Sequence, residues 1–306
     1  MKKQLRGFIF LVITVILYST FEVTCKLIGP RLHPLQISFF RFLSGGLVLL
    51  PFAIYQLKKQ RVAISKRFIF DMFILGFVNI VVSMGLIQFG LLYTNASTSA
   101  VIFSSNPVFV ALFAAVLLKE KVTQEKLIGM AIGICGVFIL FFDKIDLSSI
   151  SITGPGLVLL AAVVFALYTV LGKMLTLQGT DSLVMTSFSF ITGSILLLPI
   201  LLVLNIPVLT IDQTILPHLL YLGIVVSGIA YMCYFYGLAD VNTSTGALVY
   251  FVKPALAAVF SVLILHETLN ANFYIGTVVI LAAMVIVNYK QFFGFSRKAG
   301  KNTRTC

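Results

Sequence analysis

Apolar residues along the chain gather into runs of about twenty, and each run gives way to a short polar or basic stretch. A helix rises about 1.5 Å per residue, so about twenty such residues cross the roughly 30 Å of hydrocarbon in a bilayer. The pattern predicts ten transmembrane helices: Gly7–Ile28, Leu35–Tyr55, Ile69–Tyr93, Thr98–Leu118, Leu127–Phe142, Pro155–Leu177, Leu183–Leu204, Pro217–Leu238, Thr245–Leu265 and Phe273–Phe292. The stretches between them are too short for an extramembrane domain, so any function must lie within the helices.

Composition agrees with an all-α integral membrane protein. Of 306 residues 59% are hydrophobic and 10% charged, and the mean hydropathy is +1.07, which a soluble domain with a wetted surface does not reach. Basic residues set the orientation. With the N-terminus inside, Lys2, Lys3, Arg6, the "KKQRVAISKR" and "KEKVTQEK" loops, Lys173 and the tail from Lys290 place 17 of the 22 Lys and Arg on the inner side. Only Arg31 and Lys144 face out, while Lys26, Arg41 and Lys253 fall within spans. The positive-inside rule then predicts a multi-pass protein of the cell membrane with both termini cytoplasmic. The net charge of +12 follows from this bias and suits anionic lipid. No basic domain stands outside the membrane, so nucleic acid is not an expected partner. "MKKQLR" and the apolar run behind it lack a small-residue cleavage site and read as an uncleaved first span. Cys25, Cys135, Cys233 and Cys306 have no CxxC spacing, and no disulfide, metal or cofactor framework is implied.

The chain also repeats itself. "NASTSAVIFSSNPVFVALFAAVLLKE" from Asn95 and "NTSTGALVYFVKPALAAVFSVLILHE" from Asn242 align without a gap at an offset of 147, which pairs Ser97 with Ser244, Pro107 with Pro254 and Glu120 with Glu267. The register extends to Gly76 with Gly223, Gly90 with Gly237, and "FEVTCKL" with "YTVLGKM". One position further on, Phe42, Gly45 and Pro51 match Phe190, Gly193 and Pro199. Two five-helix halves result, 1–147 and 148–306. Five is odd, so the second half enters the bilayer inverted, the arrangement from which secondary transporters obtain outward-open and inward-open states.

The twice-written "N-x-S-T-x-A…P…A…L-x-E" and the aromatic-x-x-x-K-like ends at Phe21 to Lys26 and Tyr168 to Lys173 resemble the EamA-type permeases of the drug/metabolite transporter superfamily. The resemblance covers nearly the whole chain. It implies ten helices, cytoplasmic termini and a central cavity walled by helices 1–4 and 6–9, with 5 and 10 at the periphery.

Candidate site residues are the polar groups at membrane depth. Lys253 lies roughly 12 Å from the inner end of helix 9, and its mate Asn106 roughly 12 Å from the outer end of helix 4. Pro107 and Pro254 are expected helix breaks that free the carbonyls of Phe103 and Tyr250 toward a polar interior. A buried charge costs at least about 2.5 kcal/mol on insertion scales. Lys253 is therefore read as a substrate or coupling residue, against the plainer readings of a structural ion pair or a snorkelling side chain. Height counted from the span ends sets Glu22 level with Arg41, which predicts that these two pair and leaves Lys253 without a carboxylate. Glu22 is alternatively a proton carrier. Tyr168, Tyr234 and Tyr250 stand where a hydroxyl can line the cavity, and the Asn95 and Asn242 runs read as helix N-caps. The Gly129–Gly133 spacing marks a contact face within the subunit or in a homodimer.

These features predict a secondary transporter of a small polar metabolite such as an amino acid. A nucleotide-binding loop is absent, which excludes a pump driven by ATP on this chain. The alternatives are a membrane-embedded enzyme and a non-transporting membrane partner. An enzyme would cluster His, Asp or Glu at catalytic spacing, whereas His33, His218 and His266 are scattered near span ends.

Overall fold

Each apolar run folds as helix. A computed structural model describes residues 2–60, 64–119, 124–141, 152–208, 210–240 and 243–287. The helices are α1 (Leu5–Ile28), α2 (Pro34–Gln60), α3 (Lys66–Leu92), α4 (Ala96–Leu117), α5 (Gln124–Phe141), α6 (Thr153–Leu177), α7 (Ser182–Val203), α8 (Leu216–Gly237), α9 (Thr243–Leu265) and α10 (Ala271–Val287). Among the described residues seven of them, α1–α4 and α6–α8, are long and apolar enough to cross a membrane. Helix α2 runs past its predicted end at Tyr55, because Lys58 and Lys59 in its last turn complement the negative end of the helix dipole.

Two helices are interrupted midway. In α1 the helical segments end at Ser19 and resume at Phe21, and at the gap the Thr20 hydroxyl donates to the Leu17 carbonyl at 2.7 Å, competing with the helical ladder. In α4 the segments Ala96–Phe103 and Asn106–Leu117 flank Ser104 and Ser105, whose hydroxyls donate to Ala100 O at 2.7 Å and Ile102 O at 2.6 Å. Pro107 opens the second segment, so the break expected there is present. The break expected at Pro254 is not. Helical backbone runs through Pro254 from Thr243 to Leu265, since a proline removes only one hydrogen bond of the ladder. The Ser19 hydroxyl donates to the neighbouring carbonyl, Lys253 O, at 3.1 Å. Helices α3 and α8 each wind as a wider π-helix through Phe77–Met84 and Tyr221–Ile229, segments that overlap when superposed by the repeat.

Contacts between helices come in repeat-related pairs. A Cβ on Gly90 of α3 would meet Val158 and Gly154 of α6, and one on Gly237 of α8 would meet Leu11 and Gly7 of α1. Farther along the same two seams, the Ser83 hydroxyl donates to Ala161 O at 2.9 Å and the Thr14 hydroxyl to Ala230 O at 3.3 Å. Gly76 of α3 abuts Gly193 and Ser189 of α7, while Gly223 of α8 abuts Ser44 and Arg41 of α2. Small residues let backbones touch, and in lipid that packing replaces the hydrophobic drive. At the centre α2 meets α7, where the mates Phe42 and Phe190 stack edge to face at 4.8 Å between centroids. Large side chains such as Leu5, Val116, Leu177 and Val203 stay exposed around the outside, an apolar collar suited to acyl chains. Gly133 and Gly136 of α5 face Val108 of α4 and Ile280 of α10 in the same chain.

Candidate functional site

The interruption of α1 falls at Thr20, whose hydroxyl is held 2.9 Å from that of Tyr221. Phe21 and Glu22 follow directly. Glu22 is fully buried, and its Oε1 lies 2.7 Å from Lys253 Nζ, whose side chain is 13% exposed. The ammonium also stands 5.9 Å from the Phe21 ring centroid and 5.6 Å from that of Phe103, the residue at which the first segment of α4 ends. Arg41 of α2 enters from the other side. Its Cζ lies 3.9 Å over the Phe21 ring and 4.6 Å over Phe42, and its Nε donates to Ser227 Oγ at 2.7 Å from the π-wound part of α8.

Glu22 therefore pairs with Lys253 and not with Arg41. The count of heights took the helices as upright rods of level ends, whereas α1 is broken immediately before Glu22 and a lysine side chain reaches far from its backbone. Arg41 replaces the expected carboxylate with two aromatic faces and a hydroxyl. Two cations and one carboxylate surround Phe21, an excess of one positive charge. Glu22 Oε2 and Arg41 Nη1 are buried and make no hydrogen bond among the described residues. Buried polar atoms are nearly always satisfied, so an unused acceptor and an unused donor beside one ion pair mark a place where a polar group can bind.

Asn106 is not at the ion pair. Its amide donates to Ala162 O at 2.8 Å and ties the second segment of α4 to α6. The ring of Tyr168 lies 5.5 Å from that of Phe165, which lies 5.2 Å from Phe103 beside the pair. Tyr234 joins a second stack: its ring is 6.4 Å from Tyr18, which is 5.1 Å from Tyr231, which is 5.2 Å from Phe190. The side chain of Tyr250 lies outside the described residues. One turn beyond Glu22 a cavity of about 140 Å³ opens between α1, α2 and α3, lined by Cys25, Lys26, Ile37 and Gln88. Ser227 and the ring of Phe103 carried no signal in the sequence, since a serine in an apolar helix and one phenylalanine ring among 28 do not stand out until the chain folds.

A second polar cluster joins α9 to α4. Asn95 occupies the N-cap position of α4 but its side chain makes no capping bond. Glu267 takes that role from across the bundle, accepting from Ala96 N at 2.7 Å, Ser97 N at 3.1 Å and the Ser97 hydroxyl at 2.6 Å. The Asn242 cap and Glu120 lie outside the described residues.

Comparison with known proteins places this geometry in a family context. The model of the EamA-like transporter family matches twice, over residues 5–142 and 152–289. An uncharacterized transporter of Clostridium kluyveri is 33% identical over 94% of this chain and 94% of its own. The S-adenosylmethionine uptake transporter of Rickettsia prowazekii is 23% identical, with 97% of each chain covered. One solved crystal structure shares the fold, with a TM-score of 0.63 at 16% identity over 92% of this chain and 96% of that one.

Proposed function

The chain belongs to the EamA-like transporter family and is a multi-pass membrane protein, and on that premise we propose that it is a secondary transporter, not an enzyme, which moves a small polar metabolite of the amino-acid kind across the cell membrane by alternating access. Its two halves, 1–147 and 148–306, act as inverted five-helix repeats with both termini in the cytoplasm. The double family match and the repeat-related contacts of α1 with α8 and α3 with α6 support that arrangement. The bias of Lys and Arg toward one side supports the orientation.

The observation that carries the reading is the buried Lys253–Glu22 pair with its excess positive charge. A buried ion pair contributes little net stability, because desolvation of both groups offsets their attraction. It does make the site responsive. A substrate carboxylate can replace Glu22 on Lys253 and also meet Arg41, while an ammonium group on the same solute can engage Glu22, so each charged group has an opposite neighbour although the net charge of the site stays at one positive. The name of the Rickettsia relative, whose cargo bears an amino-acid group, supports this class of solute. Only a ligand that interacts differently with the two states can shift their balance, and exchange of partners at the pair supplies such a difference.

The test is a thermal-shift screen of the purified protein against amino acids and related metabolites, then counterflow of each hit in proteoliposomes. A saturable exchange of one solute is expected, lost in Lys253→Ala. Counterflow at the wild-type rate by that variant removes Lys253 from the mechanism.

A further inference from the structure

We propose that Glu267 is a releasable latch that holds the outer rim of the protein shut, fastening the end of α9 to the start of α4. The proposal rests on the alternating-access reading above and adds the group that must let go. Glu267 stands two residues past α9, with the cap of α4 in its grasp. Its carboxylate accepts from Ala96 N, Ser97 N, the Ser97 hydroxyl and, at 2.9 Å, the Ser261 hydroxyl. Three of these donors belong to a helix about 170 positions away in the chain and in the other half of the repeat. A carboxylate bonded to the free N–H groups of a helix start, at the positive end of its dipole, is a strong and directional join.

Local backbone shows that the side chain is aimed there by construction. His266 takes a left-handed φ of 53°, which glycine adopts freely and other residues rarely do. The reversal ends α9 and brings Glu267 N back to Ser261 O at 3.3 Å, so the same serine contacts the glutamate through both its carbonyl and its hydroxyl. A residue held in a sparse conformation points to a role for that geometry.

Location makes the join reversible. Glu267 is half-buried with Thr268 and His266 exposed beside it, while Ala96, Ser97 and Ser261 lie buried beneath it, so separation of the two helix ends is what admits water to the carboxylate and its four donors. Glu22, in contrast, is fully buried and can leave Lys253 only if another polar partner takes its place. The rim join therefore opens with solvent alone, and the deep pair exchanges with solute.

Spin labels at Tyr93→Cys and Leu263→Cys, both exposed positions flanking the join, report the separation of the two helix ends in a cysteine-free full-length chain. The parent should show one narrow distance. Glu267→Gln, which turns an amide N–H toward donors, and Ser261→Ala, which leaves the carboxylate in place and removes one donor, should each populate a longer distance by about 5 Å or more, the scale of a helix-register change. Ser261→Ala keeps the test decisive where Glu267→Gln does not insert. Unchanged distances in both variants, with only a lower unfolding midpoint, make Glu267 a static cap and overturn the latch. A longer distance in variants whose parent carries no solute in proteoliposomes keeps the latch and sinks the transport reading instead.

Discussion

Glu22 and Lys253, 231 positions apart, meet at 2.7 Å inside the bundle. Removing one member of a buried pair leaves the other uncompensated, at about 3–5 kcal/mol. Glu22 is the more deeply buried of the two, so Lys253→Ala should lower the unfolding midpoint in detergent as well as abolish flux. Lys253→Met combined with Glu22→Gln should recover most of the midpoint and none of the flux. Recovery of both would make the pair structural.

Helix contact through glycine gives a second expectation. A Cβ on Gly76 would lie 2.5 Å from Gly193 N and 2.7 Å from Ser189 O, both backbone atoms that cannot rotate aside. Gly76→Ala should cost about 3 kcal/mol, the upper range for overpacking. Gly85→Ala meets only Leu35 Cδ2 at 3.4 Å, and Gly156→Ala meets nothing within 4 Å. Those two should be neutral or stabilising by up to about 1 kcal/mol. Thermal unfolding of the three variants side by side checks the ordering.

Asp181 caps α7, accepting from Leu183 N at 2.9 Å and Val184 N at 3.3 Å. Asp181→Ala should cost about 1 kcal/mol and Asp181→Asn only a fraction of that, because asparagine caps nearly as well. Equal losses in the two variants would show that the charge, and not the cap, is what matters.

How far all this could be read from the chain depends on what each feature needs. Seven of the ten expected spans were legible because hydrocarbon imposes one length on an apolar helix that crosses it, and Gly90 with Gly237 or Phe42 with Phe190 because the same residues recur at a nearly constant offset. Lys253, Glu22 and Arg41 were each visible as charges that lipid does not tolerate. Their pairing was hidden. It depends on the interruption at Thr20, which no proline or glycine announces, and on the π-wound turn that brings Ser227 to Arg41. Glu267 likewise stood out only as the counterpart of Glu120, since the helix start it serves lies about 170 positions away in the chain.

His33 links stability to pH. Its Nδ1 accepts from Leu35 N at 3.2 Å at the start of α2, and burial holds the imidazole below its ordinary value. The folded state thus binds a proton less readily than the unfolded chain. The contribution of the neutral ring is complete above the ordinary value of about 6.5 and is lost as pH falls through it toward the lower folded value. Between about pH 8 and about pH 5 the wild type should lose unfolding midpoint relative to His33→Asn, whose amide accepts at every pH. Parallel curves for the two proteins would remove His33 from the linkage.

Where α3 touches α6 at Gly90 and Gly154, and α1 touches α8 at Gly7 and Gly237, main chain comes close to main chain, and the side chains of Val158 and Leu11 fill the space each α3 or α8 glycine leaves. Seams this close are stiff. Large displacement has to be taken up where the ladder is already open, between Ser19 and Phe21 and between Phe103 and Asn106. Of the two helix pairs only α1 with α8 includes such a gap, and a bend there would carry Glu22 along with the second segment of α1.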